Sequence, residues 1–243
     1  GVGAIDADGY IDPSVEACRK MTDLFNLRGD QLAVARSNSR AVNQFPHEWR
    51  MATYSFNYLP MLNEKGHIDT KQAELPAHLD MVEKIKHAQE PVTLVMTGPL
   101  TDLARALDAD PEIEKNIKML YWMGGSLNGH GNVAVVNADG SQEWNAFWDP
   151  YAVKRVFDSN IKIQMVGLES TEEVPLNDEL RQHWASLRKY PAMDLVGQGY
   201  SMIVSLPSAE LFLWDVFITI SALYPEVVET EIAHVKVITY GLS

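Results

Sequence analysis

Apolar and polar positions along this chain switch repeatedly between the two-residue period of strands and the 3.6-residue period of helices. Residues 1–5 read as the end of a strand, and Asp6-Ala7-Asp8-Gly9 as the loop leaving it. From Asp12-Pro13 onward, Val15, Cys18, Met21, Leu24 and Phe25 recur at helical spacing, closed by Gly29. Residues 31–35 form a short strand. Residues 36–66 carry few periodic signals but many aromatics (Phe45, Trp49, Tyr54, Phe56, Tyr58). They read as a long loop, of a kind that is usually functional in compact domains. Residues 77–88 are an amphipathic helix. Residues 91–96 are nearly continuously apolar, the pattern of a strand buried on both faces. Thr97-Gly98-Pro99-Leu100 then turns into a helix through Leu107, and Asp110-Pro111 begins another short one. Residues 117–123 are a second buried strand, ending at Gly124-Gly125. Further on, 150–158, 177–189, 191–205 and 211–223 read as helices, and 161–167 and 232–240 as strands.

Strands alternating with helices predict an α/β fold, a mostly parallel central sheet flanked by helices. No repeat, low-complexity tract or linker divides the 243 residues, which are read as a single domain. Ligands of such sheets bind beyond the carboxyl ends of the strands. The residues following the predicted strands are Asp6 and Asp8; Thr97, Gly98 and Pro99; Gly124 and Gly125; and Glu169, Ser170 and Thr171. They are expected to share one rim.

Charge and composition narrow the partners. The formal net charge of -13 argues against nucleic acid and gives no attraction to anionic membranes. No apolar run is long enough to span a bilayer, and residues 1–10 lack the positive start of a signal peptide; the expected location is cytoplasmic. The single Cys18 excludes an internal disulfide and a cysteine zinc cluster, and on an apolar helix face it reads as a core residue. The histidines show no metal-ligand spacing, and there is no GxSxG elbow, GxGxxG or Walker loop.

The richest chemistry lies in Asn137-Ala-Asp-Gly-Ser-Gln-Glu-Trp-Asn-Ala-Phe-Trp-Asp-Pro150. Asn-Ala-Asp-Gly is turn chemistry, and Asp149-Pro150 opens a helix. Between them, Glu143 and Asn145 are two residues apart. In an extended segment both face one side, with Trp144 opposite, an arrangement suited to a ligand rich in hydroxyls; solvated polar groups beside core tryptophans are the other reading. Asp6 and Asp8 fit either a hard cation or vicinal hydroxyls, or turn capping before the helix at Asp12. Asp215 interrupts an apolar helical stretch, where a buried carboxylate needs a partner or a metal. Trp214 beside it suits the core or a site wall, and Trp49 suits stacking on a flat ligand or packing of its loop.

Taken together and in order, Asp6-Ala7-Asp8, Val95-Met96-Thr97-Gly98-Pro99-Leu100, Met123-Gly124-Gly125, Glu143-Trp144-Asn145, Trp148-Asp149-Pro150 and Trp214-Asp215 resemble the nucleoside hydrolases. The resemblance covers essentially the whole chain and is strongest to the purine-specific, inosine-adenosine-guanosine-preferring branch, whose base-stacking loop is similar to residues 42–50. It implies calcium-dependent hydrolysis of the N-glycosidic bond of purine nucleosides, giving ribose and free base, in a homodimer or homotetramer. By position, the Thr97 carbonyl and the Asp215 carboxylate would hold Ca2+. Asp8, Glu143 and Asn145 would bind ribose hydroxyls, with Asn132 near the 5′-hydroxyl and Met123 lining the sugar. Trp49 and Trp214 would sandwich the purine, with Trp144 close by. No histidine accompanies Trp214, whereas the pyrimidine-tolerant branch typically has one there.

One departure stands out. The family carries D-x-D-x-x-x-D-D after its first strand, which supplies the general base and most calcium ligands. Asp6-Ala7-Asp8-Gly9-Tyr10-Ile11-Asp12 is not that motif and aligns with the loop of the next strand. The chain is therefore expected to start after the motif, and to lack the family's final strands and last helix as well. A fragment of a longer hydrolase is the favoured reading. A non-catalytic nucleoside-binding or oligomerising relative is the alternative, and a sugar-processing enzyme of another class is a third.

Overall fold

The computed structural model describes residues 1–27, 32–136, 138–202 and 211–239. Gly29, Gln31, Asn137, Tyr240 and the stretch 203–205 of the helix predicted over 191–205 lie outside them. In chain order the elements are β1 (Val2–Ala4), α1 (Ile11–Leu24), β2 (Val34–Arg36), α2 (His47–Asn57), α3 (Pro60–Asn63), α4 (Ala77–Lys86), β3 (Val92–Met96), α5 (Thr101–Ala109), β4 (Ile117–Met123), α6 (Trp144–Trp148), α7 (Pro150–Phe157), β5 (Ile163–Val166), α8 (Leu168–Thr171), α9 (Asp178–Ser186), α10 (Pro191–Met202) and α11 (Trp214–Leu223). The strands pair in parallel and helices flank them, the α/β class read from the pattern.

The described residues form two compact units. The first comprises 1–40, 45–80 and 176–211. In it, β1 pairs with β2, and Ala4, Val15 and Val34 form a small core against Ile11 and Cys18. Burial raises the Cys18 thiol above its ordinary value, as expected of an inert core residue. A second cluster joins Leu59, Leu62 and Leu195 with Met21, Leu24 and Phe56, so that α1, α2 and α10 pack together.

The second unit comprises 41–44, 81–175 and 212–243. Its sheet has the order β3-β4-β5, with β4 in the centre. Leu120 and Trp122 of β4 sit in a core that includes Leu100, Leu103 and Leu107 of α5 and its N-cap and Val153 and Val156 of α7. Pro111–Asn116 is a 3-10 helix capped by Asp110, whose carboxylate accepts from the Glu112 amide. Asp149 caps α7 by accepting from the Ala152 amide, and Thr101 Oγ1 donates to its other oxygen at 2.7 Å.

Four expectations fail for physical reasons. One face of β3 is uncovered, so Thr93 and Val95, which share it, are exposed, Val95 by 43%, and the strand is not buried on both faces. Residues 36–66 are not one loop. Pro46 starts α2, which shows little apolar periodicity because Trp49, Met51 and Tyr54 on it are exposed. Trp49 is therefore on a helix. Residues 232–239 form no strand: their alternation finds no pairing edge, and Ile232 is 97% exposed. Finally, residues 143–145 are not extended, because Glu143 caps the short helix α6.

Candidate functional site

The carboxyl ends of β3 and β4 gather most of the chemistry of the second unit. β3 runs into the Thr97-Gly98-Pro99 turn, and β4 into Gly124-Gly125. Buried Trp122 donates its indole N–H to the Gly98 carbonyl at 3.0 Å, fixing one turn against the other strand. Gly125 takes a φ of +78°, a left-handed conformation that a side chain would strain. That turn presents the Gly125 amide to Glu143.

Glu143 is 3% exposed. Its Oε2 accepts from the amides of Gly125 (2.8 Å) and Ala146 (3.0 Å), and its Oε1 from Asn145 (2.9 Å). Burial raises its pKa, against the opposing pull of these three backbone donors. Three donors leave one of roughly four lone-pair positions of a carboxylate unused. Asn145, also buried, donates its side-chain amide to the carbonyls of Met123 (3.1 Å) and Thr97 (3.3 Å). Because both partners are carbonyl oxygens, the amide nitrogen must face them, and Oδ1 is turned the other way. So Thr97, Met123, Glu143 and Asn145 converge, although the segment that carries the last two is helical.

Asn132 is tied to Trp144 twice: its Oδ1 accepts from the Trp144 backbone amide and its carbonyl from the indole N–H, both at 3.1 Å. Trp144 is buried and meets Phe147 edge-to-face, so it is a packing residue of this unit. Trp214 is half-buried. It packs with Phe217 on a cluster of Met123, Val166, Leu168 and Ile218, and stands edge-to-face with Phe212 at 5.8 Å. Asp215 lies in the first turn of α11 and is exposed, not buried in the apolar helix as its neighbours suggested. Only one stripe of α11 faces the sheet, and Asp215 is off it.

Asp8 and Trp49 belong to the first unit. Asp8 is exposed yet crowded by protein, and that crowding raises its pKa. Trp49 is 44% exposed on α2. Asp6 is not a cap for α1, whose N-cap is Tyr10; its carboxylate pairs with the Arg50 guanidinium. The sequence marks Glu169 as a rim residue, but not as the anchor it proves to be. Glu169 Oε1 accepts from Ser126 Oγ and the amides of Leu127 and Asn128; burial opposes its ionisation, but these bonds prevail and lower its pKa. It thereby pins the segment that leads to Asn132. Its position just after β5 was the available signal.

For a hard cation, the donors at hand are of the right kind. The Thr97 carbonyl keeps a lone pair beyond its long bond to Asn145, and Asp215 adds a carboxylate at the start of a helix. They are two donor groups with three oxygens between them, where calcium takes six to eight oxygen ligands. Among the described residues, no group of three or more His, Cys, Asp or Glu could hold a metal ion. No helix among them is long and apolar enough to cross a membrane.

The fold has counterparts in known proteins. An inosine-uridine preferring nucleoside hydrolase from Bacillus anthracis matches with a TM-score of 0.91 at 43% identity, over 100% of this chain and 78% of that one. The pyrimidine-specific ribonucleoside hydrolase RihA of Shewanella woodyi is 42% identical over 99 residues, 41% of this chain and 30% of that protein. The non-specific ribonucleoside hydrolase RihC of Escherichia fergusonii is 42% identical over 109 residues, 45% of this chain and 34% of that protein. The matched stretch thus spans about a third of the length of these curated relatives. The profile of the inosine-uridine preferring nucleoside hydrolases matches residues 5–243, and the chain belongs to that family.

Proposed function

We propose that the protein hydrolyses the N-glycosidic bond of purine ribonucleosides, releasing ribose and the free base. The observation that carries this reading is the convergence of Glu143, Asn145, Met123 and the Thr97 carbonyl at the ends of β3 and β4. Glu143 accepts a ribose hydroxyl on its unused lone pair, and Asn145 receives another on Oδ1, the atom turned away from the carbonyls. The family resemblance also assigns a sugar hydroxyl to Asp8. Met123 lines the sugar, with Asn132 toward the 5′-hydroxyl. The ionised acids favour the positive charge that develops on the sugar as the bond to the base breaks.

Thr97 and Asp215 are the residues that would hold Ca2+. When bound, calcium supplies a Lewis acid that orients and acidifies the attacking water and engages the sugar diol. Trp214 stacks on the purine and Trp144 backs the site, and the family resemblance assigns base stacking to Trp49 as well. The purine preference rests on Trp214, an aromatic without a neighbouring histidine, immediately before Asp215. The relatives divide on this point, since one is pyrimidine-specific and another non-specific.

Initial rates of the full protein with calcium on inosine, guanosine, uridine and cytidine test the reading. Purine nucleosides should be cleaved with kcat/KM at least tenfold above the pyrimidine ones. A preference for uridine or cytidine would overturn the purine assignment. The second reading, a nucleoside-binding relative without turnover, draws on the lack of a three-acid cluster among the described residues. Inosine binding with no release of hypoxanthine would establish it.

A further inference from the structure

One face of α2 grips the loop that follows β1. His47 Nδ1 lies 2.6 Å from the Tyr10 hydroxyl, and the Arg50 guanidinium sits 4.1 Å above the Tyr10 ring. Arg50 Nη2 also donates to Asp6 Oδ1 at 2.5 Å, in an ion pair whose side chains are mostly buried. Thr53 closes the contact: a Cβ added to Gly9 would stand 2.2 Å from its Oγ1, so only glycine lets the loop lie this close. Tyr54 packs against the Tyr10 ring at 5.8 Å. Positions 47, 50, 53 and 54 are three and four apart, so they form one stripe of the helix. Trp49 is outside that stripe and exposed. On the other side of the contact, Asp6, Gly9 and Tyr10 are all held, while Asp8 between them is exposed.

We infer that Arg50 is a positioning residue: by pairing with Asp6 and stacking on Tyr10, it locks the loop carrying Asp8 to the helix carrying Trp49, so that the sugar-binding acid and the base-stacking ring keep a fixed mutual geometry. This rests on the roles proposed above for Asp8 and Trp49. In this reading Arg50 acts through Asp8 and Trp49. A planar guanidinium can pair and stack at once, which an ammonium cannot do equally well. Removing its partner frees the loop without removing Asp8, so the loss should appear in catalysis while Asp8 is present and vanish once it is gone.

A double-mutant cycle on kcat/KM for inosine, with the calcium-loaded full protein, tests this. Asp6→Asn keeps the size and one acceptor oxygen but removes the charge. Arg50→Gln and Arg50→Lys serve as the reciprocal variants, with thermal unfolding confirming that each is folded. Asp6→Asn and Arg50→Gln should each lower kcat/KM by 10–50-fold, and Arg50→Lys by less than Arg50→Gln. In the Asp8→Ala background, Asp6→Asn should lower kcat/KM by no more than twofold further. Should Asp6→Asn cost the same factor with and without Asp8, the pair is merely structural and the inference fails while the sugar-binding role of Asp8 stands. An Asp8→Ala protein as active as the wild type would instead remove the role of Asp8, and the inference with it.

Discussion

Asn145→Asp is the sharpest perturbation of the site, because it changes one atom and reverses its polarity. The wild-type amide donates to the carbonyls of Met123 at 3.1 Å and Thr97 at 3.3 Å. A carboxylate would aim an anionic oxygen at both. Losing two hydrogen bonds costs roughly 0.5–1.5 kcal/mol each, and burying a charge without a partner adds further kcal/mol, so a total of about 3 kcal/mol is the expected minimum. For a chain of 243 residues, about 2–4 °C per kcal/mol converts this to a fall in Tm of roughly 6–12 °C. The sign with pH follows from linkage. The new carboxyl is neutral more readily in the folded state than in the unfolded one, so the folded state binds more protons and the penalty grows as pH rises. At acid pH the protonated group can donate to one carbonyl again, and the deficit shrinks. Calorimetric unfolding of wild type, Asn145→Asp and the uncharged Asn145→Leu at pH 5 and pH 8, without added divalent cation, separates the terms. Asn145→Leu should lose about 1–3 kcal/mol at both pH values, the two hydrogen bonds alone. If Asn145→Asp unfolds within a degree of wild type at pH 8, the amide does not hold these carbonyls and the described geometry is wrong.

Four further outcomes are expected. Glu143→Gln should lower kcat/KM by roughly 10–100-fold, the worth of a hydrogen bond to a charged group. Because burial raises the Glu143 pKa, wild-type stability should fall as pH rises above about 4.5, and the Gln variant should lack that slope; a wild-type advantage that widens with pH would contradict this. Trp49→Ala should weaken purine nucleoside binding by about 1–3 kcal/mol while free ribose binding stays within twofold, as calorimetric titration would show, and an equal loss for ribose would exclude stacking. Cys18 should react with a thiol reagent only after unfolding, and prompt stoichiometric labelling of the native protein would contradict its place in the core.

Sequence reading succeeded where a residue's role is set by its immediate neighbours. β4 matched its predicted bounds, Ile117–Met123, because a central strand is apolar along its length and ends in a glycine turn. Asp149-Pro150, Asp110-Pro111 and Asn177 cap as their chemistry requires. Reading failed where tertiary context decides. The exposure of Val95 depends on which face of β3 the rest of the fold covers, and 232–239 lacks the neighbour that would make it a strand. The single turn of α6 is too short to display a period, so Glu143 and Asn145 were expected to meet across an extended segment and instead meet through a helix cap. The convergence itself was legible, since strand ends and turn residues mark the rim. The links Glu143–Gly125, Asp6–Arg50 and Glu169 with residues 126–128 were not, because they join residues 18 to 44 positions apart and leave no local pattern.

The central claim is that Glu143 and Asn145, anchored at the ends of β3 and β4, bind the sugar of a nucleoside. A crystal structure of the full protein with calcium and ribose tests it most directly. Ribose hydroxyls should lie within hydrogen-bonding distance of Asn145 Oδ1 and a Glu143 carboxylate oxygen, with the Met123 side chain against the ring. Ribose bound away from both residues, at full occupancy, would contradict it.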